Sequence, residues 1–394
     1  MYTRTMNQSI RTPLRGIRSK STKTHPQSSL PAAYYRGGTS RAVFFKTSDL
    51  PPSQVDWSPI FRGVIGSPDP YGRQLDGLGG GISSLSKVCV VGPSAHPDAD
   101  VDYTFAALGI KNTDVDFSSN CGNMVSAVGP FAVDSRIFAA QSGGGDENGG
   151  GSATVRIHNT NTGKLIHATF PVVDGEAASN GGLAIDGVAG TAAPIQLDFI
   201  NPAGSRTGKL LPTNAVKDTF DVVEATCIDV ANPCVFVKAD DLGVSGTLTP
   251  DEITATPGLL ERLDAIRRQA GVKMGLANSH ENVPGSVPKI GIVSATIGKE
   301  EGKVDLVVRA LSVGQPHKAV PITVALALAT AARLEGSTVN DVTSEKKVDT
   351  TGITIGHASG SILVGATFGE KGELEYATVF RTARRLFEGR IFWK

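Results

Sequence analysis

Val320-Pro321-Ile322-Thr323-Val324-Ala325-Leu326-Ala327-Leu328-Ala329-Thr330-Ala331-Ala332 contains no charged residue, and neither does Met124-Val125-Ser126-Ala127-Val128-Gly129-Pro130-Phe131-Ala132-Val133. A helix that is apolar all round has to be buried all round. One such helix is expected from about 121 to 133 and the other from about 318 to 334, with Pro321 in its first turn, where the missing N–H costs nothing. Between and around them, short apolar or alternating runs broken by turn residues read as strands: 41–45, 88–91, 153–158, 168–173, 221–228, 235–237, 289–297, 304–310 and 361–365. The glycine-rich run 141–152 reads as a loop, and 261–269 as a charged surface helix. Two buried helices, each set among many strands, imply an α+β chain of two similar domains with strands wrapped around a central helix.

Composition narrows the partners. Lys+Arg and Asp+Glu are equal at 38 each, so no global field draws the chain to nucleic acid or an acidic membrane surface. No apolar run is long enough to span a bilayer, and a soluble protein is expected. Cys89, Cys121, Cys227 and Cys234 form no CxxC pair and have no histidine set beside them, which argues against a zinc site and a disulfide framework and for a reducing compartment. Residues 1–30 are set apart: Arg4, Arg11, Arg15, Arg18, Lys20 and Lys23 lie among Ser and Thr, with no acid before Asp49. A transit peptide and a disordered tail without an address are both open, so the expected location is cytoplasmic or mitochondrial. The expected division is a tail at 1–30, a first domain at 31–190 and a second at 191–394.

The chemistry-bearing segments sit at the edges of these elements. Asp76-Gly77-Leu78-Gly79-Gly80-Gly81-Ile82-Ser83-Ser84-Leu85-Ser86-Lys87 ends a charge-poor turn on a lone lysine that enters the apolar strand Val88-Cys89-Val90-Val91. A lysine there is rarely present to solvate a surface. Ser119-Asn120-Cys121-Gly122-Asn123-Met124 places a thiol and amides at a helix start, where Asn120 is the expected cap and Gly122 leaves backbone N–H groups uncovered for an anion. Arg36-Gly37-Gly38-Thr39-Ser40-Arg41 offers hydroxyls, bare backbone and guanidinium groups for carboxylates. His317 and Lys318 mark the second helix start, and Gly356-His357-Ala358-Ser359-Gly360-Ser361 makes another small polar turn. Taken singly, a glycine-rich loop is most often only a turn and a lone cysteine most often a core residue.

Taken together, these segments resemble the PrpF-like isomerases, as do Thr207-Gly208-Lys209-Leu210-Leu211-Pro212-Thr213, Ala231-Asn232-Pro233 and Pro316-His317-Lys318-Ala319. The resemblance runs in order from about residue 32 to the C-terminus. That family includes 2-methylaconitate cis-trans isomerase, 3-methylitaconate Δ-isomerase and fungal aconitate Δ-isomerase. The resemblance implies a diaminopimelate-epimerase-like fold: two pseudo-equivalent domains, each a curved, mostly antiparallel sheet around a central buried helix, with the active site between them. It implies Lys87 as the catalytic lysine with Cys121 facing it. It also implies that Thr39, Ser40, Gly80, Ser84, Ser86, Asn120, Gly122, Asn123, Met124, His317, Lys318, Ser359 and Gly360 bind the carboxylates of an unsaturated di- or tricarboxylic acid. Two departures stand out: Leu85 where the family often has Thr, and Ala358 where many members have Pro.

The implied reaction is abstraction of an allylic proton by Lys87. The delocalised carbanion then either rotates about the former double bond or takes the proton back at the far end of the allyl system. An apolar, partly desolvated site favours the amine form such a base needs, and a helix N-terminus favours a Cys121 thiolate. No nicotinamide, flavin, pyridoxal or metal motif is present, so no cofactor and no metal are expected. The expected partner is a small carboxylate, with neither nucleic acid nor membrane; a homodimer is left open. Two rivals remain: an amino-acid racemase or epimerase on the same fold, which resembles a two-cysteine design, and a non-catalytic carboxylate-binding protein, which has no use for Lys87.

Overall fold

The computed structural model describes residues 27–139, 150–296, 301–350 and 352–394. Both charge-free segments are helices, Gly122–Asp134 and Ile322–Ala331, and every residue except Asp134 is buried. The second begins later than expected. Pro321 is its cap, at φ −60° and ψ 137°, so it stands outside the first turn. A residue preceding proline is disfavoured in helical conformation, which keeps Val320 out of the helix as well.

Each helix has its own set of strands. The first is enclosed by Ser28–Gly37, Ser40–Lys46, Lys87–Pro93, Val101–Leu108, Gly150–Asn159, Lys164–Val173 and Ile195–Ile200, joined by Leu374–Arg381 and Ala383–Trp393. The second is enclosed by Val223–Val230, Asn232–Lys238, Lys289–Ser294, Leu306–Ser312, Ile353–His357 and Gly360–Phe368. The first sheet draws strands from both sides of the division expected at residue 190. Leu374–Arg381 pairs with Ile195–Ile200, and Ala383–Trp393 pairs with Ser28–Gly37 from Ser28↔Trp393 to Gly37↔Ala383, so both belong to the first sheet. The tail boundary shifts too. Ser28, Ser29 and Leu30 open a strand, while the basic stretch through residue 26 lies outside the described residues. Of the expected 141–152 loop, residues 141–149 lie outside the described residues and the remainder is strand. Asp221 and Val222, expected within a strand, adopt positive φ and form the hairpin turn that pairs Phe220 with Val223.

A shared register relates the two units. Ser40–Lys46 runs parallel to Lys87–Pro93 with Val43 opposite Val88, and Asn232–Lys238 runs parallel to Lys289–Ser294 with Val235 opposite Ile290. In both, the fourth residue of the leading strand meets the second of the next. Lys87 and Lys289 thus occupy equivalent first positions. The helix 259–273 is less of a surface element than its charge implies: it buries Leu259, Leu263, Ile266 and Ala270, and its Arg267 reaches inward to donate to the Pro284 carbonyl at 2.8 Å. Among the described residues, no helix is long and apolar enough to cross a membrane, and all four cysteines are free thiols.

The two central helices meet at their N-termini. A Cβ on Gly122 would lie 2.4 Å from Cβ of Ile322, far inside contact distance, so only glycine permits this approach. Gly122→Val is expected to destabilise the protein by about 1–3 kcal/mol through overpacking. Adding Ile322→Ala should recover part of that loss, because the two positions touch. Denaturant unfolding of the two single variants and the double variant checks this, and additive losses would count against the contact.

Candidate active site

The turn that delivers Lys87 is folded around a buried glutamine. Gln74 is 1% exposed, and its Oε1 accepts from Gly81 N at 2.9 Å and from Ser86 Oγ at 2.7 Å. Side chains at Gly77 and Gly79 would collide with Ile65 and Gln74, which accounts for the glycines of this stretch. Held in this way, Lys87 enters its strand half-buried, with Nζ 5.3 Å from the centroid of the Phe105 ring. The cation lies against an aromatic face.

Cys121, not Asn120, caps the first helix. Its carbonyl accepts from Met124 N at 2.9 Å and Val125 N at 3.1 Å, and no side chain caps the end. Asn120 is displaced from that role because its backbone is clamped from the other unit. Asn232 Oδ1 accepts from Asn120 N at 3.2 Å, while its Nδ2 donates to Asn120 O at 2.8 Å and to Thr323 Oγ1 at 3.3 Å. One buried amide thereby ties both helix starts together. Asn120 and Asn123 are each 3% exposed, and both side-chain heteroatoms of Asn120 and Oδ1 of Asn123 lack a protein partner. Leaving such groups unmade costs about 1–3 kcal/mol each. They are hydrogen-bonding capacity that the protein itself leaves unused.

Lys87, Cys121, Ser40, Asn120, Gly122 and Asn123 line one cavity, closed from the second unit by Lys289, His317, Pro321, Ile322 and Thr323. Ser83, Lys87, Ala107 and Val313 also line a wider cleft of about 680 Å³. Positive ends of both helix dipoles and two lysines make the inner space suited to an anion. His317 is neutral there: burial, helped by the charges of Lys87 and Lys289, lowers its pKa to about 4, and Nδ1 lies 2.8 Å from the Ala319 carbonyl. His357 is likewise lowered to about 4, by burial and then by Arg381.

The other expected binding residues are placed differently. Thr39 lies at the rim, accepting from Asn123 Nδ2 at 3.1 Å. Ser86 is spent on Gln74, Met124 is fully buried in the core against Gly37, and Gly80 and Ser84 do not line the cavity. Lys318, Ser359 and Gly360 are exposed outside it; Ser359 Oγ donates to the Lys318 carbonyl at 2.5 Å, and the turn is held by Asp186, which accepts from Ser361 N at 2.6 Å. Nor do the guanidinium groups of the 36–41 loop reach the cavity. Arg36 Nη1 binds the Gly38 carbonyl and both oxygens of Thr382, and Arg41 sits over Tyr34. The sequence reading missed Lys289. Its signal was available, since Lys289-Ile290-Gly291-Ile292-Val293 repeats the pattern of a lysine entering an apolar strand that singled out Lys87.

Two sheet-wrapped helices meeting at their starts make this the diaminopimelate-epimerase-like α+β fold, shared with methylitaconate-delta-isomerase and a hydroxyproline epimerase. Residues 27–394 match the PrpF protein family, and the chain belongs to it. A 3-methylitaconate isomerase of Eubacterium barkeri is 38% identical over 382 residues, covering 93% of this chain and 97% of the relative. A 2-methyl-aconitate isomerase of Shewanella oneidensis is 37% identical over 389 residues, covering 92% and 96%. A crystal structure of methylitaconate-delta-isomerase superposes with a TM-score of 0.73 at 39% identity, covering 93% of this chain and 96% of that one. The chain is an isomerase.

The two histidines set an acid limit on stability. In the unfolded chain they bind protons below about pH 6.5, whereas in the folded state both stay neutral until about 4. The unfolded state therefore holds more protons across that interval, and stability present above it is lost as pH falls through it. The urea midpoint should drop between pH 7 and 4.5, and His317→Gln should flatten that dependence. An unchanged slope in the variant would show that His317 does not carry it.

Proposed function

We propose that the chain isomerises an unsaturated di- or tricarboxylic acid of the aconitate or alkylaconitate type, with Lys87 transferring an allylic proton in the cavity between the two units. The observation that carries this reading is the convergence of Lys87, both central helix starts and the unpartnered amide of Asn120 on one space. The amine of Lys87 takes a proton from the allylic carbon, and the electron pair left behind spreads over the allyl system into the conjugated carboxylate. Backbone N–H groups at the helix starts and the free Nδ2 of Asn120 meet the charge that develops on the carboxylate oxygens. The ammonium then returns its proton, either to the same carbon after rotation or to the far allylic carbon. The first outcome is cis-trans isomerisation and the second a double-bond shift. Phe105, Ala107, Val313, Pro321 and Ile322 supply apolar wall that excludes water from the carbanion.

The two-thiol racemase reading loses support at the second helix. The cap position matching Cys121 there is Pro321, which carries no acid or base. Cys121 is assigned a supporting part in proton transfer, and Cys121→Ser should keep measurable activity. The experiment is incubation with 2-methylaconitate, aconitate and methylitaconate in deuterium oxide, followed by proton NMR. Wild type should isomerise at least one of them with deuterium entering at the allylic position, and Lys87→Ala should lose about 10²–10⁴-fold or more in kcat. Turnover by Lys87→Ala within about tenfold of wild type would remove the lysine from its role.

A further inference from the structure

Lys289 is a buried cation whose counter-ion is missing from the protein. It is 7% exposed, and its Nζ makes a single long hydrogen bond, 3.4 Å to the Ser286 carbonyl. Among the described residues, no carboxylate lies within ion-pair distance of it. Asp116 is the acid whose field reaches it, and that carboxylate is already engaged by Ser118 N at 2.7 Å and Ser118 Oγ at 2.5 Å. Burial, assisted by the charge on Lys87, lowers the pKa of Lys289. A buried ammonium left in this state is costly unless something pairs with it. Lys289 separates a pocket beside the helix 259–273 from the cavity lined by Lys87, Cys121 and both helix starts, and Cys121 and Lys87 on the latter side are among the groups whose charge acts on it.

Resting on the isomerase reading above, we infer that Lys289 is the counter-ion of a substrate carboxylate, so that the two equivalent strand-initial lysines divide the work: Lys87 moves the proton and Lys289 binds charge. The geometry favours this division. Lys87 lies at the junction of the inner cavity and the wider cleft, beside Cys121, whereas Lys289 comes from the opposite unit. A carboxylate docked between Lys289 and the helix starts anchors the acid by one end and leaves its allylic carbon to Lys87. Lys289 is therefore a binding residue whose loss weakens affinity and leaves the proton-transfer step in place.

The test separates this from the reaction assignment. Propane-1,2,3-tricarboxylate is saturated and has no allylic proton, so its binding is read by calorimetry without turnover. Lys289→Met should weaken that binding by about 30-fold or more, the effect of removing one partner of a buried charge pair, and Lys289→Arg should stay within about tenfold of wild type. The melting temperature of Lys289→Met should equal or exceed that of wild type, since an unpaired buried charge is replaced by an apolar chain of similar length. For any acid that wild type isomerises, KM should rise as affinity falls while kcat changes less than about tenfold. Binding by Lys289→Met as tight as wild type overturns the inference. So does an unchanged KM with collapsed kcat, which would make Lys289 a proton carrier. Failure of wild type to isomerise any of the unsaturated acids sinks the reaction assignment instead, and the titration still decides Lys289.

Discussion

The close approach of two helix N-termini is the constraint on which the rest of this structure depends. Gly122 lies against Ile322, and Asn232 spans the gap by bonding Asn120 on one side and Thr323 on the other. Positive helix ends pointed at one another repel, and an anion between them relieves that repulsion. Apart from Asp134 at the end of the first, both helices lack charged residues and are buried, which removes any surface alternative. The arrangement persists because the flanking sheets fix each helix, and its electrostatic consequence is a small space of concentrated positive potential. The di- or tricarboxylic acid proposed as substrate would answer that potential.

Much of this organisation was legible in the sequence because it follows from one-dimensional patterns. Absence of charge over 124–133 and 320–332 required burial, and alternating runs required strands. Lys87 stood out because a lysine entering Val88-Cys89-Val90-Val91 has no surface to solvate. What stayed hidden depends on long-range pairing. Nothing local says that 374–393 returns to the first sheet, because an edge partner is chosen by what else needs covering. Asn120 has the composition of a cap, yet a clamp from Asn232, more than a hundred residues away, takes its backbone elsewhere.

The expected binding residues that lie outside the cavity share a cause. Ser86, Met124, Gly80 and Ser359 belong to motifs whose purpose here is to shape loops: Ser86 braces Gln74, Met124 packs against Gly37, and Ser359 closes a turn on Lys318. A motif marks a place in the fold, and only some of its side chains face the cavity. Lys289 illustrates the converse. It lies outside the quoted motifs, but register equivalence with Lys87 brings it to the same cavity.

The pairing of Ser28–Gly37 with Ala383–Trp393 has a consequence for synthesis. As the ribosome extends the chain, the first sheet lacks two of its strands until residues 374–393 have been made, while the strands of the second unit are all available by residue 368. The middle of the chain is thus the earlier candidate for completed structure, and the N-terminal part waits with an open edge beside Ser28–Gly37. Exposed edges invite wrong partners. Polar Ser28 and Ser29 and Pro31, which lacks an amide hydrogen, lie along that waiting edge and make it a poor template for another strand.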